Sequence, residues 1–164
     1  MDIRLGDRTA ETVRIYFKKA NTPEIKTVLP QKAQTEEEAL TDYRKTLLPT
    51  ADSYGKTIIA DGDYIGDIWC YCIGAGKEPN AMLSYCIFET SYWGHGIATK
   101  AVSLFLKEIQ DRYALSTVGA FTFSQNTASI RVLEKNGFTV LEEFSEGGRA
   151  SKYLQYTCRP LRQF

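Results

Sequence analysis

Between Lys56 and Glu89 the apolar residues fall in short, dense runs separated by turn signals. "KTIIA" is closed by "DGD", "YIGDIWCYCI" by the turn-rich "GAGKEPN", and "AMLSYCIFE" follows, which predicts three successive strands. From Ile97 onward the period becomes helical. Ile97, Ala98, Ala101, Leu104, Phe105 and Ile109 fall on one side, with Lys100, Ser103, Lys107 and Asp111 opposite, as in an amphipathic helix packed on a sheet. "LSTVGAFTF" predicts the next strand. Asn126 is a natural N-cap for "TASIRVLEKN", and Gly137 stands where a left-handed C-cap residue belongs. "GFTVLEEFSEG" and "KYLQYTCR" read as two strands joined by a glycine turn at Gly147 and Gly148.

The N-terminal third is less regular. "DIRLGD" predicts a short strand, and Asp7 is expected to cap a helix carrying Val13, Tyr16 and Phe17 on one face. "NTPEIKTVLP" reads as a break. Thr35 with Glu38 then forms a capping-box signature before Ala39, Leu40, Tyr43 and Leu47, and Glu36 to Glu38 complement the positive end of that helix. The predicted order is strand, two helices, three strands, helix, strand, helix, two strands. It suits a mixed sheet flanked by helices in one α+β domain spanning residues 1–164.

Composition narrows the partners. Lysine plus arginine and aspartate plus glutamate each total 20, so no excess of positive charge calls for nucleic acid. Neither a signal-like start nor a long apolar run occurs, so the chain is expected to be soluble and cytoplasmic, with no membrane partner. In that setting the four cysteines should be thiols. Cys70-x-Cys72 on a strand would put two thiols on one face, but no paired C-x-x-C spacing accompanies it and the sole histidine, His95, sits in a glycine turn. The four are read as buried small hydrophobes, and no metal is expected.

The candidate chemistry lies in "SYWGHGIATKA", Ser91 to Ala101. A strand entering a helix through a glycine turn presents free backbone N–H groups at the positive helix end, a place for a phosphate or pyrophosphate. Gly94 and Gly96 let the backbone approach such a ligand closely. A Walker A loop needs glycine directly before its lysine, but Lys100 follows Thr99. A dinucleotide fingerprint needs a third glycine where Thr99 stands.

The pattern that remains, x-x-x-G-x-A with Gly96 and Ala98 as its small positions, resembles the pyrophosphate loop of the GNAT superfamily of N-acetyltransferases. "NTASIRVLEKNGF", Asn126 to Phe138, is similar to a second signature of its RimJ/RimL-like branch, and the two motifs stand in the family's order. The resemblance implies a mixed, mostly antiparallel sheet of about six to seven strands with about four helices, and a V-shaped splay between two parallel strands. It implies acetyl-CoA as co-substrate. The amides of Trp93, Gly94, His95, Gly96, Ile97 and Ala98 would hold the pyrophosphate, Asn126 would approach the cofactor, and backbone groups around Cys86, Ile87 and Phe88 would pair with the pantetheine arm and polarise the acetyl carbonyl.

The reaction so implied is direct attack of a neutral amine on the thioester, through an oxyanion stabilised by backbone N–H. Many family members carry a tyrosine acid seven residues after the asparagine, where this chain has Leu133. Ser129 takes its place as the candidate acid in the RimL-like pattern, against a reading as an ordinary helix-start serine. Glu89 is the candidate base, against a solvated turn residue, with water relayed from Glu142 or Glu143 as another route. His95 is read as a phosphate neighbour, and Trp69, Tyr71, Tyr85 and Trp93 as core or cleft wall. The acceptor class spans a protein N-terminal amine or a small-molecule amine. An α-amine is slightly favoured, since its reference pKa of about 8 lies below the ~10.4 of lysine. The alternative is a CoA-binding sensor or interaction module without transfer activity. Homodimers are a family tendency.

Overall fold

The computed structural model describes residues 1–76, 78 and 80–158. Seven strands form one sheet: β1 (Ile3–Gly6), β2 (Tyr54–Ala60), β3 (Asp63–Tyr71), β4 (Asn80–Ile87), β5 (Thr117–Phe123), β6 (Thr139–Glu146) and β7 (Arg149–Thr157). Their spatial order is β1-β2-β3-β4-β5-β7-β6, and every neighbouring pair is antiparallel except β4 with β5. This mixed, mostly antiparallel sheet is the expected class. Five helices accompany it among the described residues: α1 (Ala10–Ala20), α2 (Pro23–Val28), α3 (Glu36–Lys45), α4 (Ile97–Arg112) and α5 (Thr127–Lys135). None of them is long and apolar enough to cross a membrane.

Two cores lie on opposite faces of the sheet. On one, the predicted stripe of α4, without Leu104 and completed by Val102 and Leu106, packs on Ile58, Ile68, Leu83, Val118 and Leu154. Phe105 is fully buried there and stacks on Tyr54 at 6.1 Å, a burial that stabilises by about 1.5–3 kcal/mol. On the other face, Ala20 and Ile25 pack with Cys86 and Phe88, and Tyr16, Tyr64 and Trp69 surround them. Alternation along β4 serves both: Leu83, Tyr85 and Ile87 turn to the α4 side, and Cys86 turns to the α1–α2 side.

Several local expectations are corrected. Thr9, not Asp7, caps α1, through a reciprocal pair of bonds with Thr12, while Asp7 pairs with Lys56 at 2.7 Å. Thr9 stands directly before the helix, where its hydroxyl can reach the N3 amide; Asp7 is two residues too early. The "NTPEIKTVLP" break contains a helix, α2, which begins with Pro23 in its first turn, so two helices become three before the hairpins. Thr35 does cap α3, but Glu38 bonds to the amide of Gln34 instead of closing the box on Thr35, and the helix ends before Leu47, which is 66% exposed. Cys70, Cys86 and Cys158 are buried, but Cys72 is exposed, because its φ of 52° takes it out of the strand pleat.

Candidate active site

β4 and β5 pair over only three positions, Asn80↔Thr117, Ala81↔Val118 and Met82↔Gly119, and then diverge. Beyond Met82, β4 therefore has a partner only in β3. The amide of Phe88 donates to the carbonyl of Ile65 at 2.9 Å, which sets the phase of the antiparallel ladder. Peptide groups of alternate residues point to opposite neighbours, so those of Ser84, Cys86 and Phe88 turn to β3 and those of Leu83, Tyr85 and Ile87 turn into the gap. Of this edge, the Ile87 carbonyl accepts from the Trp93 indole at 2.8 Å. The splay opens a cleft of about 590 Å³, bounded by α2, β4, β5, the glycine turn, the first turn of α4, and α5.

At one end of the cleft the glycine turn has the predicted geometry. Gly94 and Gly96 have φ of 79° and 76°, and a Cβ at either would point into open space within reach of no other atom. Gly96 is the N-cap of α4 and no side chain caps the helix, so its first-turn amides remain available to an anion. Trp93, Gly94, Gly96, Ile97 and Ala98 line the cleft; His95 is exposed and does not. Arg131 and Lys135, both on α5, line it as well and add positive charge.

At the middle of the cleft, Asn126 caps α5 by accepting from the Ser129 amide at 3.2 Å, and both residues line the wall. The Ser129 hydroxyl lies 2.8 Å from the Tyr85 hydroxyl, a hydrogen bond that ties α5 to β4 across the splay. Burial pushes the Tyr85 phenol up to about 12, against the opposing pull of Ser129, so the phenol stays protonated at neutral pH. The bond links residues 44 positions apart, and no local pattern announces it.

The carboxylates distribute differently from expectation. Glu89 lies outside the cleft lining and bonds to Lys19 of α1 at 2.5 Å. Glu143 pairs with Lys152 at 3.3 Å, and neither it nor Glu142 lines the cleft. Glu146, at the end of β6, does line it. Behind Cys86, a lining residue, lies a buried cluster. Asp67, 2% exposed, receives the Tyr64 hydroxyl at 2.7 Å and faces the Arg8 guanidinium at 3.3 Å. Burial raises the Asp67 carboxyl despite Arg8 and Tyr64, and pushes the Cys86 thiol up to about 12. Among the described residues, no group of three or more His, Cys, Asp or Glu could hold a metal ion.

A family model described as an acetyltransferase (GNAT) domain matches residues 6–139. No curated protein sequence matches the chain. Solved structures with the same fold include the aminoglycoside acetyltransferase AAC(6')-Ib with coenzyme A, at 17% identity over 95% of each chain and a TM-score of 0.78. RimL, a ribosomal α-N-protein acetyltransferase, also with coenzyme A, is 17% identical over 94% of this chain and 93% of its own, with a TM-score of 0.79. The spermidine N-acetyltransferase from Vibrio cholerae, with CoA and spermine, is 16% identical over 94% and 95%, at a TM-score of 0.79.

Proposed function

The chain belongs to the acetyltransferase (GNAT) domain family, and from that premise we propose that it transfers the acetyl group of acetyl-CoA to a primary amine by direct attack, in the manner of the RimJ/RimL-like branch. One observation carries the reading: the β4 edge that β5 leaves unpaired, the uncapped glycine turn before α4 and the Ser129–Tyr85 pair all line one cleft. The residues present fit the co-substrate. Gly94 and Gly96 hold the positive φ of the turn, the first-turn amides of α4 carry no side-chain cap, and Arg131 and Lys135 add positive charge to the cleft.

When bound, acetyl-CoA supplies the acyl group as a thioester. The β4 edge binds the pantetheine arm as a neighbouring strand would, and its amide N–H groups are the donors available to the acetyl oxygen. Asn126 fixes the start of α5, and Ser129 holds a proton at its Oγ. As the N–C bond forms and the C–S bond breaks, Ser129 gives that proton to the sulfur, so the products are the acetamide and the free thiol. The amine's own proton leaves to water, and water returns a proton to the Ser129 Oγ, which restores the hydroxyl. Glu89, two residues past β4, is held by Lys19 through Oε1 and lies outside the cleft lining, so the proton reaches it only by way of water.

Acetyl-CoA binding measured by calorimetry, alongside thiol release in the presence of primary amines, tests the proposal. Binding with amine-dependent release is expected. Binding without release from any amine would instead make the chain a CoA-binding sensor.

A further inference from the structure

The sheet divides the cleft into two chemically different halves. Tyr85 and Ile87 look toward α4 and α5, and Cys86 looks toward α1 and α2. On the α5 side, Arg131 and Lys135 line the cleft. On the α2 side the walls are Ile25, Val28 and Leu29 against Phe121 and Phe123. Glu146 is the sole carboxylate in the lining among the described residues.

Arg149 sets the shape of this second half. Both terminal nitrogens donate to the Thr27 carbonyl of α2 at 3.2 Å, and the guanidinium carbon lies 3.6 Å from the centre of the Phe123 ring. The tie joins the β6–β7 hairpin to α2, and both of these elements line the cleft. It also turns the Arg149 guanidinium, opposite Glu146 in the β6–β7 register, onto Thr27 and Phe123, so that no ion pair joins Arg149 to Glu146 among the described residues.

Glu146 is exposed, whereas Ile25 is buried and Val28 and Leu29 are half-buried, so a charge paired with Glu146 stays hydrated while a further charge carried in against α2 is unfavourable. A polyamine or aminosugar would bring several charges to one carboxylate, and an aminosugar many hydroxyls to hydrocarbon. Size weighs further against an aminosugar. The whole cleft, about 590 Å³, is in the range of one small-ligand pocket and must also take the pantetheine arm.

We propose that the acceptor is a small primary amine with one positive charge on an apolar body, an alkyl- or arylalkylamine. Its ammonium is held by Glu146, and its hydrocarbon lies between α2 and the Phe121–Phe123 wall. The inference rests on the acetyl-transfer reading above.

Thiol release is measured with hexylamine, phenethylamine, spermidine, kanamycin and a tripeptide with a free N-terminus. The first two are expected to exceed the others at least tenfold in kcat/KM. Glu146→Gln should raise the KM for hexylamine about tenfold, with the KM for acetyl-CoA within twofold. Val28→Glu, which adds a second carboxylate to the apolar wall, should shift preference toward spermidine. A wild-type preference for spermidine, kanamycin or the tripeptide overturns the inference and leaves acetyl transfer standing. So does an unchanged amine KM in Glu146→Gln. Calorimetric binding of acetyl-CoA without release from any of the five overturns both.

Discussion

The Tyr85–Ser129 bond makes a kinetic prediction that separates placement of a proton donor from packing. Tyr85→Phe keeps the ring and removes only the hydroxyl that meets Ser129 at 2.8 Å. The loss of one neutral hydrogen bond costs about 1 kcal/mol of stability, which in a domain of this size lowers Tm by about 2–4 °C. The same loss frees the Ser129 hydroxyl to rotate away from the sulfur. At 1.36 kcal/mol per factor of ten, a bond of that strength held only in the productive geometry corresponds to a roughly fivefold fall in kcat. Ser129→Ala removes the donor itself and should cost about a hundredfold, the lower end for a general acid. Because the two act through one proton, the double variant should be no slower than Ser129→Ala alone. Acetyl-CoA affinity, read by calorimetry, should stay within twofold in all three. Burial keeps the phenol protonated up to about pH 12, so the wild-type rate should show no loss from Tyr85 ionisation between pH 7 and 10. An unchanged kcat in Tyr85→Phe, or a double variant whose loss is the product of the single losses, would refute the pairing.

The remaining predictions concern the frame around the site. A Cβ at Gly66 would come within 2.2 Å of the Cys86 carbonyl, whereas at Gly119 it would meet the movable ends of Tyr153 and Met82; thermal melts should therefore show Gly66→Ala losing about 3 kcal/mol and Gly119→Ala about 1. Asp67→Ala strands Arg8 and should cost about 3 kcal/mol in urea unfolding, while Arg8→Met with Asp67→Leu should recover most of it. Because burial raises the folded Asp67 carboxyl, the native state binds more protons than the unfolded chain just above pH 4. Asp67's contribution to stability should then fall as pH rises through that window, and a stability profile that rises there on its account would contradict the burial argument. Of the four thiols only Cys72 should react rapidly with a disulfide reagent in the native protein, and Cys72→Ser should abolish that fast phase.

What was legible in the chain follows from distance along it. The turn proposed to cradle an anion occupies six consecutive residues, and two glycines before an apolar-periodic run already specify positive φ and a helix start. Asn126 and Gly137 likewise bracket α5 by local capping alone. The opposite half of the cleft has no such economy. α2 is six residues long, too short for a helical period to register, and its proline reads as a break unless the first turn is considered. Glu146 and Ile25 meet one cleft from ends of the chain more than a hundred residues apart, so no spacing rule could single out Glu146 over Glu142 or Glu143. Asp7 and Leu47 were misplaced by one or two residues at helix ends, where caps compete closely.

Strand alternation explains why chemistry belongs at Tyr85. Its side chain sits on the α5 face with Ser129, while Cys86, one residue on, faces α2. The peptide edge between them is the part of β4 left unpaired by β5. An acyl carbon held on that edge can be approached by an amine from the apolar α2 face while its departing sulfur faces the proton of Ser129 on the other. Nucleophile and acid then never compete for one volume. In the proposed complex the amine would lie against apolar walls beside one carboxylate, and the phosphates at the glycine turn and the cations of α5. A one-residue slip of β4 would exchange the faces and put Tyr85 beside α2. The Phe88–Ile65 bond and the close approach at Gly66 fix the register, so these two β3 contacts would govern the proposed reaction without touching either substrate.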